Sequence, residues 1–109
     1  MLSKRDRITT ERFKDIIENG KTVRSAVLYT KLLPNKIHRF SVVVPKKVVK
    51  SAVRRNLLKR KIVASISNNW ENFVPADYII FATEQVIGSN GVVLDNIIKD
   101  LAEKVASQN

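Results

Sequence analysis

Apolar residues recur along the chain with two periods, one of three to four residues and one of two, and the switches between them lay out the elements. In Thr10–Asn19, Phe13, Ile16 and Ile17 fall at i, i+3 and i+4, Glu11 suits a first turn, and Gly20 follows where a left-handed C-cap belongs. This spacing predicts a short amphipathic helix. Two strand-like runs follow, 25–33 and 39–44, separated by Pro34-Asn35-Lys36; the β-branched and aromatic content of Phe40-Ser41-Val42-Val43-Val44 favours a strand. Residues 21–24 add either a short strand or an extended lead-in. After Pro45, the stretch Ser51 to Asn69 reads as a long helix. Pro75-Ala76-Asp77 opens another strand, Tyr78 to Thr83, whose nearly continuous apolar run suits a central position. A loop through Gly88-Ser89-Asn90-Gly91 leads to a last helix, where Leu94, Ile97, Ile98, Leu101 and Val105 form an apolar stripe. The order predicts a small α+β sandwich, with helices packed on a mixed sheet.

Length adds that residues 1–109 form one domain, with no room for a second core. No apolar run approaches the roughly 20 residues that a membrane helix needs. The first dozen residues are polar and charged, without the apolar segment of a signal peptide, so the expected location is cytoplasmic. Without cysteine there is no disulfide framework or thiolate zinc site, and the single histidine, His38, leaves no histidine-rich metal site.

Charge changes the picture most. Lys and Arg number 20 against 10 Asp and Glu, a formal net charge of +10. Residues 1–70 hold 18 basic and 4 acidic side chains, residues 71–109 hold 2 and 6, and no acid occurs from Asn19 to Trp70. A half that faces a polyanion joined to an ordinary half fits this split. Eight of the sixteen residues from Lys46 to Lys61 are basic: Lys46, Lys47, Lys50, Arg54, Arg55, Lys59, Arg60 and Lys61. At 100° per residue, Arg55, Asn56, Lys59 and Arg60 occupy one arc of about 140°, beside an apolar stripe of Leu58, Ile62 and Ile66. Arg supplies a planar fork for two phosphate oxygens, Lys a point charge, and Asn56 both donates and accepts. A merely solvated helix face would normally carry Glu partners at i+4; this one has none.

Catalytic chemistry is poorly provided for. There is no paired histidine, carboxylate cluster or phosphate-cradling glycine loop, so any RNA processing needs another component to do the chemistry. Phe13, Tyr29 and Phe40 invite base stacking, although an aromatic on an amphipathic helix or alternating strand is more often core. Trp70 reads as packing and His38 as an exposed turn residue.

The stretch Phe40-Ser41-Val42-Val43-Val44-Pro45-Lys46-Lys47-Val48, followed by Ala52-Val53-Arg54-Arg55-Asn56-Leu57-Leu58-Lys59-Arg60, resembles the signature of the ribonuclease P protein subunit. In that family a hydrophobic strand runs into a Lys-Lys pair, a crossover turn, and a helix marked Arg-Asn-Arg with Lys-Arg shortly after. The resemblance extends to Arg7–Gly20, to Asp77-Tyr78-Ile79-Ile80-Phe81-Ala82 and to the helix from Leu94. It implies a mixed four-stranded sheet with three helices, akin to a ribosomal-protein domain, with a left-handed crossover at the basic helix. It implies a catalytic RNA as partner and removal of the 5′ leader from precursor tRNA as the task. The RNA would cleave, with Mg2+ held through the RNA and no cofactor on the protein, which would be monomeric apart from its RNA.

By the same resemblance Arg54, Arg55, Asn56, Lys59, Arg60 and Lys61, with Lys46 and Lys47 beside them, face the catalytic RNA. Phe13, Ile17, Val27, Tyr29 and Val43 line a leader groove between the first helix and one sheet face. The chain departs from the family pattern at five places. Leu57 stands for the second Arg of Arg-Asn-Arg, Ile17 for an aromatic, Pro45 for a frequent Ser, Val49-Lys50 for a turn that usually has Gly, and Thr83 for an Arg that often follows the late strand. A stand-alone RNA- or ribosome-binding module remains the alternative on charge alone.

Overall fold

The computed structural model describes residues 8–25, 28–86 and 91–107. Helix α1 (Thr10–Asn19) starts at Thr9, whose hydroxyl accepts the Arg12 N–H at 3.3 Å. Strand β1 (Lys21–Arg24) follows at once, then β2 (Leu28–Pro34), β3 (Arg39–Val43), α2 (Ala52–Asn68), β4 (Ala76–Ala82) and α3 (Gly91–Ser107). Single 3-10 turns lie at Trp70–Asn72 and Glu84–Val86.

Gly20 corrects the expected left-handed cap. Its φ of −76° and ψ of 153° are extended, and its N–H closes on the Ile16 carbonyl at 2.8 Å. Space, not handedness, requires glycine there: a Cβ would lie 2.4 Å from the Ile16 carbonyl oxygen and 3.0 Å from that of Leu32. The chain thus passes hard against the end of α1 straight into β1. Ser25, expected inside a strand, instead turns the corner, its N–H donating to the Leu28 carbonyl at 2.9 Å.

The sheet order is β1-β2-β4-β3, antiparallel except for β3 beside β4. The parallel pair demands a crossover, and α2 supplies it. Alternation splits the sheet into two faces. One carries Val23, Leu28, Leu32, Phe40, Val42, Ala76, Tyr78, Ile80 and Ala82, all buried beneath α2 and α3 in the main core. Leu94, Ile98, Leu101 and Val105 of α3 join it, as the stripe predicts, with Ile97 half-buried at the edge. Phe40 is core rather than a stacking platform, 4.8 Å from the Tyr78 ring and nearly parallel to it. Burial raises the Tyr78 hydroxyl above its ordinary pKa, and that hydroxyl donates to the Val74 carbonyl.

His38 is also corrected. It is half-buried beside Trp70, ring centroids 5.0 Å apart, with Nε2 2.6 Å from the Phe73 carbonyl oxygen. A carbonyl only accepts, so that nitrogen carries the proton. His38 thereby fastens the β2–β3 connection to the segment leading into β4.

Helix α2 shows how a helix rich in cations and free of acids stays folded. Ile62 and Ile66 are fully buried and Leu58 packs at the core's edge. Burying one such side chain contributes about 1.5–3 kcal/mol. Arg55 and Lys59 are the like-charged pair at i,i+4, which costs a few tenths of a kcal/mol. Packing outweighs repulsion.

Candidate nucleic-acid interface

Two surfaces combine the residues singled out by sequence. The first is the outer face of α2 with the turn before it. Lys46 and Lys47 are exposed in the turn after β3, Lys50 is exposed beyond it, and Arg54, Asn56, Lys59, Arg60 and Lys61 are all exposed along the helix. Ser51 caps the helix, its hydroxyl accepting the Arg54 N–H at 3.3 Å.

Arg55 corrects the projected arc. It is half-buried, and its Nη1 donates to the carbonyls of Val49 at 3.2 Å and Lys50 at 2.9 Å. Position decides this: Arg55 lies close to the Ile62 direction on the helical wheel, so it reaches back under the crossover turn. The cationic face is therefore turned away from the arc read off the sequence. It runs from Lys59 through Asn56 and Arg60 to Lys61 and Arg54, with Leu57 near its middle.

The second surface is the sheet face opposite the main core. There α1 packs against β2 and β4, and Ile16 of the helix and Ile79 of β4 are both fully buried. The helix is fastened through Asp77, a fully buried carboxylate. Arg12 Nε donates to it at 2.6 Å, Arg39 Nε and Nη2 at 2.7 and 2.8 Å, and Asn35 Nδ2 at 3.0 Å. Burial alone would push this carboxyl's pKa up, but the hydrogen bonds from Arg39, Asn35 and Arg12 outweigh it and hold it below the usual carboxylate value. The Arg39 guanidinium is raised in turn, chiefly by its hydrogen bond to Asp77. Lys31 Nζ donates to the Ile17 carbonyl at 3.1 Å, placing a cation at the C-terminal end of α1.

Asp77, Ile79 and Phe81 share this face. Register sets Arg24, Tyr29, Phe81 and Val43 side by side across all four strands. Tyr29 and Phe81 stack with centroids 4.5 Å apart and an interplanar angle of 8°, and both are half-buried, as is Val43. Phe13 and Ile17, four apart on α1, are half-buried too. Val27 lies outside the described residues. The face thus offers an aromatic pair with partly open surface, with exposed Arg24 beside it. Phe81 and Arg24 escaped the sequence reading. The signal for Phe81 was its even spacing from Asp77, but only the register shows that it meets Tyr29.

Among the described residues, no three His, Cys, Asp or Glu side chains are grouped to hold a metal ion, and no helix is long and apolar enough to cross a membrane.

The chain is similar to known proteins in sequence and in fold. The family model described as Ribonuclease P matches residues 2–106. The chain is 37% identical over 81 residues to the ribonuclease P protein component of Lactobacillus delbrueckii subsp. bulgaricus, covering 70% of this chain and 67% of that protein. Its fold is similar to that of a Staphylococcus aureus RNase P protein mutant with defective mRNA degradation activity, with TM-score 0.82, 23% identity, and 95% and 90% of the two chains covered. It is also similar to the RNase P protein from Thermotoga maritima, with TM-score 0.79, 20% identity, and 89% and 94% covered. At those identities the two structures speak to the fold alone.

Proposed function

Because this chain belongs to the ribonuclease P protein family and is a protein subunit of ribonuclease P, we propose that it docks the catalytic RNA on α2 and the 5′ leader of precursor tRNA on the open half of the sheet. Its partner in the holoenzyme is RNA, and the family match does not favour a stand-alone RNA- or ribosome-binding module. In this reading the RNA carries the cleavage chemistry and its Mg2+, and the protein raises affinity for substrate.

The observation that carries the reading is the outer face of α2, where Arg54, Asn56, Lys59, Arg60 and Lys61 are all exposed and no acid lies among them. Such a face neutralises successive phosphates and releases their counterions. Lys46 and Lys47 extend it into the turn, and Arg55 shapes that turn. The test is cleavage of precursor tRNA at low magnesium with the cognate catalytic RNA, with and without this protein. Stimulation is expected, and no cleavage by the protein alone. Absence of stimulation, or cutting without added RNA, would overturn the proposal.

The leader reading rests on the Tyr29–Phe81 pair. Flat rings accept any base without reading sequence, as a leader binder requires, and one stacked base is worth about 1–3 kcal/mol. Tyr29→Ala is expected to weaken binding of precursor tRNA by about that amount, leaving affinity for mature tRNA and for the catalytic RNA unchanged. Equal losses for precursor and mature tRNA would place the leader elsewhere.

A further inference from the structure

Helix α2 also presents something that phosphate tracking does not use. Val53 is 70% exposed and Leu57 52% exposed, and they stand one helical turn apart on the same line. Exposed Ala64 continues the line further along. At 100° per residue, Arg60, Val53, Ala64 and Leu57 fall within about 60° of one another, directly opposite buried Ile62. Asn56 and Lys59 flank this ridge on one side, Lys61 and Arg54 on the other.

A single exposed apolar side chain needs no explanation. Here two large ones sit on the crest of a face with cations on both flanks. The core side of α2 is already filled by Leu58, Ile62 and Ile66, so folding does not recruit Val53 or Leu57. A second copy of this face would oppose cation to cation, and the occupant must instead be anionic at its edges and apolar between them. An unpaired nucleotide stretch has that form, with phosphates outside and an unstacked base face within. A duplex has its base faces stacked away and offers such a crest phosphates, riboses and polar base edges, with no apolar face to lay on Leu57.

We infer that the Val53–Leu57 ridge seats an unpaired nucleotide of the catalytic RNA, its base laid on Leu57 and its neighbouring phosphates held by the flanking cations. The inference rests on the reading that α2 faces that RNA, and it makes Leu57 a contact of a different kind rather than a missing arginine.

The experiment measures affinity for the cognate catalytic RNA across a salt series for the wild type, Leu57→Ala, Leu57→Arg and Arg60→Ala, together with base-specific chemical modification of the RNA. Alanine is the best helix former, so Leu57→Ala keeps the helix; a melting curve confirms it. Leu57→Ala is expected to bind roughly tenfold more weakly at every salt concentration, because apolar burial is not screened. The slope of log affinity against log salt should stay as in the wild type. A base protected by the wild type should become reactive with Leu57→Ala, and Leu57→Arg should not restore its protection.

Wild-type affinity for Leu57→Ala would overturn the inference, as would tighter, more salt-dependent binding by Leu57→Arg, which would put a phosphate there. So would a Leu57→Ala defect confined to self-association or to binding of anionic lipid vesicles. Arg60→Ala separates the two levels. If it lowers the salt slope while Leu57→Ala does nothing, only the ridge fails; if neither changes RNA binding, the assignment of α2 fails as well.

Discussion

Asp77→Asn is expected to destabilise the fold by about 3–5 kcal/mol, the cost of removing one partner from a buried ionic cluster. Asp77 is fully buried, and it takes four hydrogen bonds from Arg12, Arg39 and Asn35. An amide in its place leaves the Arg39 guanidinium without a counter-charge and Arg12 with only Asp15, at 3.1 Å on its own helix, and it turns two N–H donors towards other donors. Both arginine side chains keep some access to water, 28% and 21%, which favours the lower end of the range. Against a total of about 5–15 kcal/mol for a domain of this kind, even that end is severe. Urea unfolding should show a fall in midpoint at unchanged slope.

The pH dependence follows from the same carboxylate. Its folded pKa lies below the unfolded one, so its contribution is fully present above about pH 4 and disappears as pH falls through the folded value. The wild type should therefore lose stability on acidification in that window, and Asp77→Asn should lack this part of the loss. If the acid limbs of the two proteins coincide, Asp77 is not the group responsible. Because Arg12 belongs to α1 and Asp77 to β4, the variant should also loosen α1 from the sheet and impair leader binding before it affects the catalytic RNA.

Local patterns carried most of the architecture. Thr10–Asn19 and the helix after Ser51 were legible because period and length agree, and β4 because its run from Tyr78 is nearly continuously apolar. What escaped depends on register or on partners distant in sequence. Asp77 looked like a strand-opening turn residue; only the arrival of Arg12 and Arg39 makes it the anchor of α1. Phe81 sat in a uniformly apolar run, where alternation has no polar half to reveal which face is open. His38 looked exposed because its neighbours in sequence are a turn, whereas its partners Phe73 and Trp70 lie more than thirty residues away. Gly20 was assigned to the right place for the wrong reason, since a sequence shows that a side chain is absent and not whether φ or space forbids it.

The same distinction decides which cations of α2 are open to a phosphate. Helical projection groups Arg55 with Lys59 and Arg60, but the Arg55 guanidinium is engaged by the carbonyls of Val49 and Lys50. The triple variant Lys59→Ala, Arg60→Ala and Lys61→Ala is expected to lower the slope of log affinity against log salt by roughly 0.9 for each phosphate left without its cation. For three such phosphates, the salt-driven fall in affinity between 50 and 200 mM should then be about 40-fold smaller than in the wild type. Low-salt affinity should collapse most, since that is where counterion release contributes most. Arg55→Ala should behave differently. It frees the crossover turn, so its cost should appear as a loss of stability and a modest loss of affinity with the slope nearly unchanged. Salt titrations of both variants against the catalytic RNA check this directly. A slope change for Arg55→Ala as large as that per residue in the triple variant would mean that its guanidinium leaves the turn to meet a phosphate when RNA binds.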